Sequence, residues 1–338
     1  MHKDGASVCV IIAAYNSAAT IGAAVTSALM QAEVAEVVVV DDASADGTAA
    51  AAAQAASGDA RLSILRLSEN HGPAAARNMA IAQSTAPFIA ILDADDCYLD
   101  GRFRHMLQEE DWDLIADNIV FVPEDDHGSL RLPKAVGAAV ATSSLNLADF
   151  VAGNLSRSGA QRGELGFLKP VMRREFLTAH GLRYDPDLRL GEDYDLYVRA
   201  LLHGARFRVS RNVGYAARVR SNSLSSSHRT TDLHALLQAA ERHIGLVAAS
   251  DPAKPAMVHH RRQLRARYLL RAFLDRKAEA GLLGAARFAL MPPTNMPPIV
   301  KGVMSDKLAA MRPRRDQSPS PVKRYLMPPV QIEPQTEP

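Results

Sequence analysis

A chain of 338 residues, 47% hydrophobic and 22% charged, has the composition of an ordinary globular protein and room for one large α/β domain with an appendage, or for two modest domains. A formal net charge of +2 selects no polyanionic partner for the chain as a whole, and two cysteines supply neither a disulfide framework nor a zinc motif, so a reducing, cytoplasmic setting is the default. No apolar stretch approaches the length of a membrane span.

The first segment, MHKDGASVCVIIAAYN, has the outline of a signal peptide. Its apolar part, Val8 to Ala14, is at the lower limit for such a core and runs into Tyr15 and Asn16, so a first β-strand is the better reading. Three more apolar, β-branched runs follow: EVVVV (36–40), LSILRL (62–67) and PFIAIL (87–92). Between them lie alanine-rich, helix-forming stretches over 20–31, 47–56 and 73–83. Asp46-Gly-Thr and Gly72-Pro73 mark helix starts, the proline sitting in a first turn where its missing N–H costs nothing. Strands apolar throughout, separated by helices, predict a mostly parallel sheet covered on both faces.

Ligands of such sheets gather at the carboxyl ends of the strands. Here those ends read Ala14-Tyr15-Asn16, Asp41-Asp42, Glu69-Asn70-His71-Gly72 and Asp93-Ala94-Asp95-Asp96. Neither G-x-G-x-x-G nor G-x-x-x-x-G-K-[ST] occurs, which weighs against dinucleotide and P-loop chemistry. Three acids within four positions behind a buried strand repel one another unless a positive partner sits among them. A hard divalent cation, Mg²⁺ or Mn²⁺, is one such partner, because it needs only one or two carboxylates plus substrate phosphates.

Beyond residue 100 the pattern is mixed. A helix is expected over 102–110, a strand over 112–122, and a polar loop covering a site over 123–137. A second ordered block is expected over 167–219, with a helix after GED (191–193) and short strands near Phe207 and Tyr215. The stretch RRQLRARYLLRAFLDRK (261–277) places Leu264, Tyr268, Leu269, Ala272 and Phe273 at helical spacing among arginines. Two readings stay open for it: a helix packed on the main domain, or peripheral attachment to an anionic membrane. Nucleic-acid binding has no module to support it. From residue 292 the proline-rich chain is expected to be disordered.

Taken in order, VCVIIAAYN, VVVDDASADGT, NHGPAAARNMAI, ILDADD and GEDYDL resemble the family-two glycosyltransferases, inverting nucleotide-sugar enzymes of GT-A fold, over Val8 to about Ser225. Within that family the chain is similar to bacterial succinoglycan-type exopolysaccharide glucosyltransferases. The resemblance implies a GT-A domain over 1–232, leaving a basic helical extension over 233–291 and the proline-rich tail over 292–338. It also implies transfer of a hexose, glucose by the closer likeness, from a UDP-sugar to a lipid-linked or growing exopolysaccharide acceptor, at the inner face of the membrane. By the same resemblance Ala14, Tyr15 and Asp42 line the uridine pocket, with Asp42 accepting from the uracil ring and Asp41 a structural acceptor. Arg77 lies beside the diphosphate. Asp93 sits near ribose or the metal, Asp95 ligates the divalent cation, and Asp193 is the general base, with Glu192 its rival. Asp96 reads as a helix cap or an outer acid, and Asp195 as a solvated helix residue. One departure stands out: Arg220 occupies the place of a histidine that many relatives carry and that in some reaches the metal, so either the metal has one protein ligand fewer or His228 substitutes. Two other classes remain, a non-catalytic nucleotide-sugar or glycan-binding module, and a nucleotidyltransferase. The latter would usually carry a glycine-rich loop where this chain has AAYNSAA.

Overall fold

The computed structural model describes residues 7–123, 142–156, 164–219, 228–311 and 324–328. The first four strands are β1 (Val8–Ala14), β2 (Val34–Asp41), β3 (Leu62–Arg66) and β4 (Phe88–Ile91). Helices α1 (Ile21–Leu29), α2 (Thr48–Ala56) and α3 (Pro73–Gln83) connect them. These strands pair in parallel in the order β3-β2-β1-β4. Every residue of β4 is buried, and six of the seven in β1. Burying each valine or isoleucine contributes about 1.5–3 kcal/mol, which is why apolar runs without alternation become central strands.

The second half of the sheet departs from the parallel pattern. It is built from β5 (Cys97–Tyr98), β6 (Leu114–Pro123), β7 (Ser143–Ser144), β8 (Val171–Arg173) and β9 (Phe207–Val219). Strand β8 inserts between β4 and β6 and runs antiparallel to both. Strand β9 is one continuous strand parallel to β6, in place of the two short strands expected near Phe207 and Tyr215. The helix expected over 102–110 is only α4 (Arg102–Met106). Short helices α5 (Leu147–Gly153) and α6 (Arg174–Ala179) and the longer α7 (Glu192–Leu202) cover this half. The loop expected to cover the site, 123–137, lies almost wholly outside the described residues.

Helix α8 (Thr230–Leu246) and helix α9 (Lys254–Leu290) carry the chain away from the sheet. On α9, Leu264, Leu269 and Ala272 are buried, with Leu264 against Leu236, Leu237 and Ala240 of α8. Three apolar positions of the basic stretch 261–277 are thus covered by protein, Tyr268 and Phe273 are half-buried, and Leu274 is exposed. At Gly281 (φ 67°) α9 breaks and folds back, a left-handed backbone that glycine adopts without the Cβ penalty. The tail expected to be disordered is ordered in part. Helix α10 (Met296–Met311) packs Ile299 on Leu269 and Ala289, and strand β10 (Arg324–Tyr325) pairs antiparallel with β6. Proline content hid this, because the segment also carries apolar side chains with a surface to bury against. Leu326 is buried as well, and Asn118 holds Met327 by hydrogen bonds in both directions.

One buried histidine couples α9 to α7. His260 lies 3.2 Å from the Tyr194 hydroxyl, and Tyr194 stacks on Phe150. Burial, with Arg267 nearby, lowers its pKa from 6.5 to about 4. Between those two values the unfolded chain binds the proton and the folded chain does not. Stability is therefore full above pH 6.5 and is lost as pH falls toward 4. Urea midpoints at pH 7 and pH 5 are expected to reveal a loss of about 2 kcal/mol that His260→Gln removes. Equal acid sensitivity in both proteins would dismiss this coupling.

Candidate functional site

The end of β4 meets the start of α7 in one cluster of charges. Asp93 follows β4, and its two carboxylate oxygens are held separately: Oδ1 by Arg77 Nη2 at 2.8 Å and Oδ2 by Lys169 Nζ at 2.8 Å. The same two cations hold Asp193, with Lys169 Nζ 2.8 Å from Oδ2 and Arg77 Nη1 3.3 Å from Oδ1. Arg77 Nη1 also pairs with Glu192 Oε1 at 2.7 Å. Two cations and three carboxylates thus form a closed ring in which Asp93 and Asp193 share both partners. Burial disfavours the charge on Asp93, yet Lys169 and Arg77 hold its carboxyl well below the usual range. Burial likewise opposes charge on Lys169, but Asp193 and Asp93 raise its pKa above the ordinary lysine value.

Local structure delivers each member. Arg77 projects from α3 and is 5% exposed. Gly191, at φ 74°, turns the chain into α7 while passing so close to α8 that a Cβ would lie 2.9 Å from Leu236 Cδ1. Glu192 and Asp193 then open α7, where the positive end of the helix dipole favours carboxylates. Lys169 arrives because β8 runs antiparallel to β4, with Ala90 opposite Val171. Continuing that register brings the residues just after β4 beside those just before β8. No motif in the sequence singles out Lys169, and only this pairing could have found it.

Asp96 faces the other way. Its Oδ2 accepts from the Tyr215 hydroxyl at 2.7 Å and its Oδ1 from the Arg218 backbone N–H at 2.8 Å. Burial, then the charges of Asp93 and Asp95, push its carboxyl well above the ordinary value. The outer-acid reading fits this arrangement. Asp195 does not fit its expectation, because it is 1% exposed and bridges Arg199 at 2.6 Å and His243 at 2.9 Å. Packing of α8 over α7 places His243 on it, which the local sequence did not show.

At the β1 and β2 ends, Ala14 is buried and its carbonyl accepts from Asp42 N–H, whereas Tyr15 is 53% exposed. Asp42 accepts the backbone N–H groups of His71 and Gly72, each at 2.8 Å, and so clamps the loop leading into α3. Asp41 accepts from Ser44 N–H at 2.9 Å. Ala14 and Asp42 are thus joined at the strand ends, and both aspartates hold backbone N–H groups.

Among the described residues no cluster of three or more His, Cys, Asp or Glu side chains is disposed to hold a metal. Both oxygens of Asp93 are engaged by protein cations, and Asp95, two residues on, is half-buried. Arg220 lies outside the described residues.

The family model described as Glycosyl transferase family 2 matches residues 9–144. The chain is 47% identical over 331 residues to the succinoglycan biosynthesis protein ExoU of Rhizobium meliloti, covering 95% of each protein. It is 36% identical over 288 residues to the succinoglycan biosynthesis protein ExoO of the same organism, covering 84% of this chain and 81% of that one. Among solved structures, S. aureus TarS 1–349 in complex with UDP-GlcNAc superposes with TM-score 0.57 at 22% identity, over 88% of this chain and 80% of that one. The mannosyltransferase PcManGT from Pyrobaculum calidifontis, in complex with GDP-Man and Mn²⁺, gives 0.54 at 22% identity, over 91% and 81%. At that identity the structural likeness is one of fold.

Proposed function

This chain belongs to glycosyl transferase family 2, and we propose that it transfers a hexose, glucose in the favoured case, from a UDP-sugar to a lipid-linked or growing exopolysaccharide acceptor with inversion. The observation that carries the reading is the ring itself: Asp93, behind the first half of the sheet, and Asp193, at the head of α7, are held by the same Arg77 and Lys169. Residues 100 positions apart thus meet at one pair of cations, which brings the carboxylate behind the first half of the sheet beside the one that opens α7.

In this reading Asp193 takes the proton from the acceptor hydroxyl as that oxygen attacks the anomeric carbon. Lys169 and Arg77 hold the carboxylate in one orientation, from which it can meet the acceptor hydroxyl. Glu192 draws one edge of Arg77 away from Asp193 and so limits how tightly the base is held. Exposed Tyr15 supplies an aromatic wall for the uracil ring, with Ala14 and Asp42 fixing the floor beneath it. A divalent cation, Mg²⁺ or Mn²⁺, on Asp95 and the donor diphosphate would neutralise the charge that develops on the leaving group. The 1–232 segment is the unit proposed to carry this chemistry, with 233–291 as an appended helical region.

Slow hydrolysis of UDP-sugars, measured with Mn²⁺ and with a chelator, tests the reading and separates it from a binding module without chemistry. Asp95→Ala is expected to lower the metal-stimulated rate by about 10²-fold or more while the melting temperature stays within a degree or two of the parent. Full metal-stimulated activity in that variant would remove Asp95 from the proposal. No turnover of any UDP-sugar by the parent would favour the binding module.

A further inference from the structure

Helix α10 has two apolar faces. The inner one is covered: Ile299 is buried against Leu269 and Ala289 with Val303 beside it, and a Cβ on Gly302 would lie 2.8 Å from Leu270 Cδ2. On the outer one, Met296, Val300, Met304 and Leu308 recur every fourth residue, which places them along one side of the helix. All four are exposed, at 38%, 46%, 59% and 60%. Leu290 and Met291, just ahead of the helix, are 52% and 69% exposed. A surface helix normally turns its apolar stripe inward, so a second stripe turned outward marks an interaction surface.

Charge around the stripe selects the partner. At the helical period Lys307 falls on one edge of the stripe and Lys301 on the other, while Asp306 falls on the far side. On either side of the break at Gly281 the exposed Arg276, Lys277 and Arg287 outnumber the one exposed acid, Glu279. Asp275 is already engaged by Arg271 and by the Thr230 hydroxyl. Methionine and leucine side chains bordered by lysines, whose stems lie along apolar surface while the ammonium reaches outward, suit the boundary between acyl chains and anionic headgroups. None of the described helices is long and apolar enough to cross a membrane, so such contact lies in the surface plane.

We propose that the outer face of α10 docks on an anionic lipid bilayer, with the four apolar side chains entering the headgroup boundary and Lys301 and Lys307 pairing with lipid phosphates. Docking of this kind needs neither donor nor acceptor, so it stands or falls apart from transfer activity. The full chain is sedimented with vesicles of phosphatidylcholine alone and of phosphatidylcholine mixed with phosphatidylglycerol. Binding to the mixed vesicles only, weakening as salt rises, is the expected result. Met304→Glu is expected to lower partitioning by about tenfold or more. Replacing Lys301 and Lys307 together by serine is expected to lower it by about tenfold to thirtyfold. Melting temperature and slow donor hydrolysis should match the parent in both variants. Three results would overturn the proposal: no binding to either vesicle, equal binding to both, or undiminished binding by Met304→Glu. So would a dimer in sedimentation velocity that Met304→Glu dissolves, because the face would then be a subunit contact.

Discussion

Asp193→Asn is expected to lower the rate of transfer to an acceptor by about 10²- to 10⁴-fold, the range that general-base catalysis supplies, while KM for the donor changes little. The substitution keeps the shape of the side chain and removes its capacity to accept a proton. It also turns an amide NH₂ toward one of the two cations now held at 2.8 Å and 3.3 Å, so a modest loss of stability should accompany it. Initial rates with a membrane lipid extract as acceptor, beside donor hydrolysis and a thermal melt, separate the two effects. An Asn variant with parental transfer rates would move the base elsewhere. Glu192, whose Oε1 lies 2.7 Å from Arg77, would be the next residue to test.

Lys169→Met is expected to destabilise the fold by about 3–5 kcal/mol, the cost of stripping one partner from a buried ion pair. The side chain is 8% exposed and its ammonium lies 2.8 Å from both Asp93 and Asp193, so its removal leaves these two and Glu192 to share Arg77. Urea unfolding of the single variants and of the double variant with Asp193→Asn forms a cycle. Neutralising Asp193 relieves part of the unpaired charge, so the double variant should be more stable than the sum of the two losses predicts. Lys169→Arg should retain more stability and activity than Lys169→Met, because it keeps the charge, although a planar fork replaces a point charge. Strict additivity, or a loss below about 1 kcal/mol for Lys169→Met, would mean that the ring does not hold the two carboxylates together.

The first half of the fold was legible because its signals are local. A continuous apolar β-branched run must be buried on both faces, and the alanine-rich stretches between such runs leave few alternatives to a parallel sheet. Strands β1 to β4 appear within a few residues of their expected bounds. The second half was less legible. Antiparallel β8 is three residues long and carries no periodicity that distinguishes it, and β9 passes through polar positions without breaking. The tail from residue 292 was misread where prolines outweighed Ile299, Val303 and Leu326 in a composition argument.

What the sequence determined by itself is the inventory of strand-end acids, their order, and the strand-to-helix alternation that sends them to one edge of a sheet. Each follows from residues close together in the chain. Tertiary structure alone decided how the crowded acids are neutralised. Asp93 draws its positive partners from α3 and from the approach to β8, and Asp195 draws one of its own from α8. Charge compensation in a buried site acts over a few ångströms of space, whatever the separation along the chain, so Lys169 could be recognised only once the β4–β8 register had brought it beside Asp93.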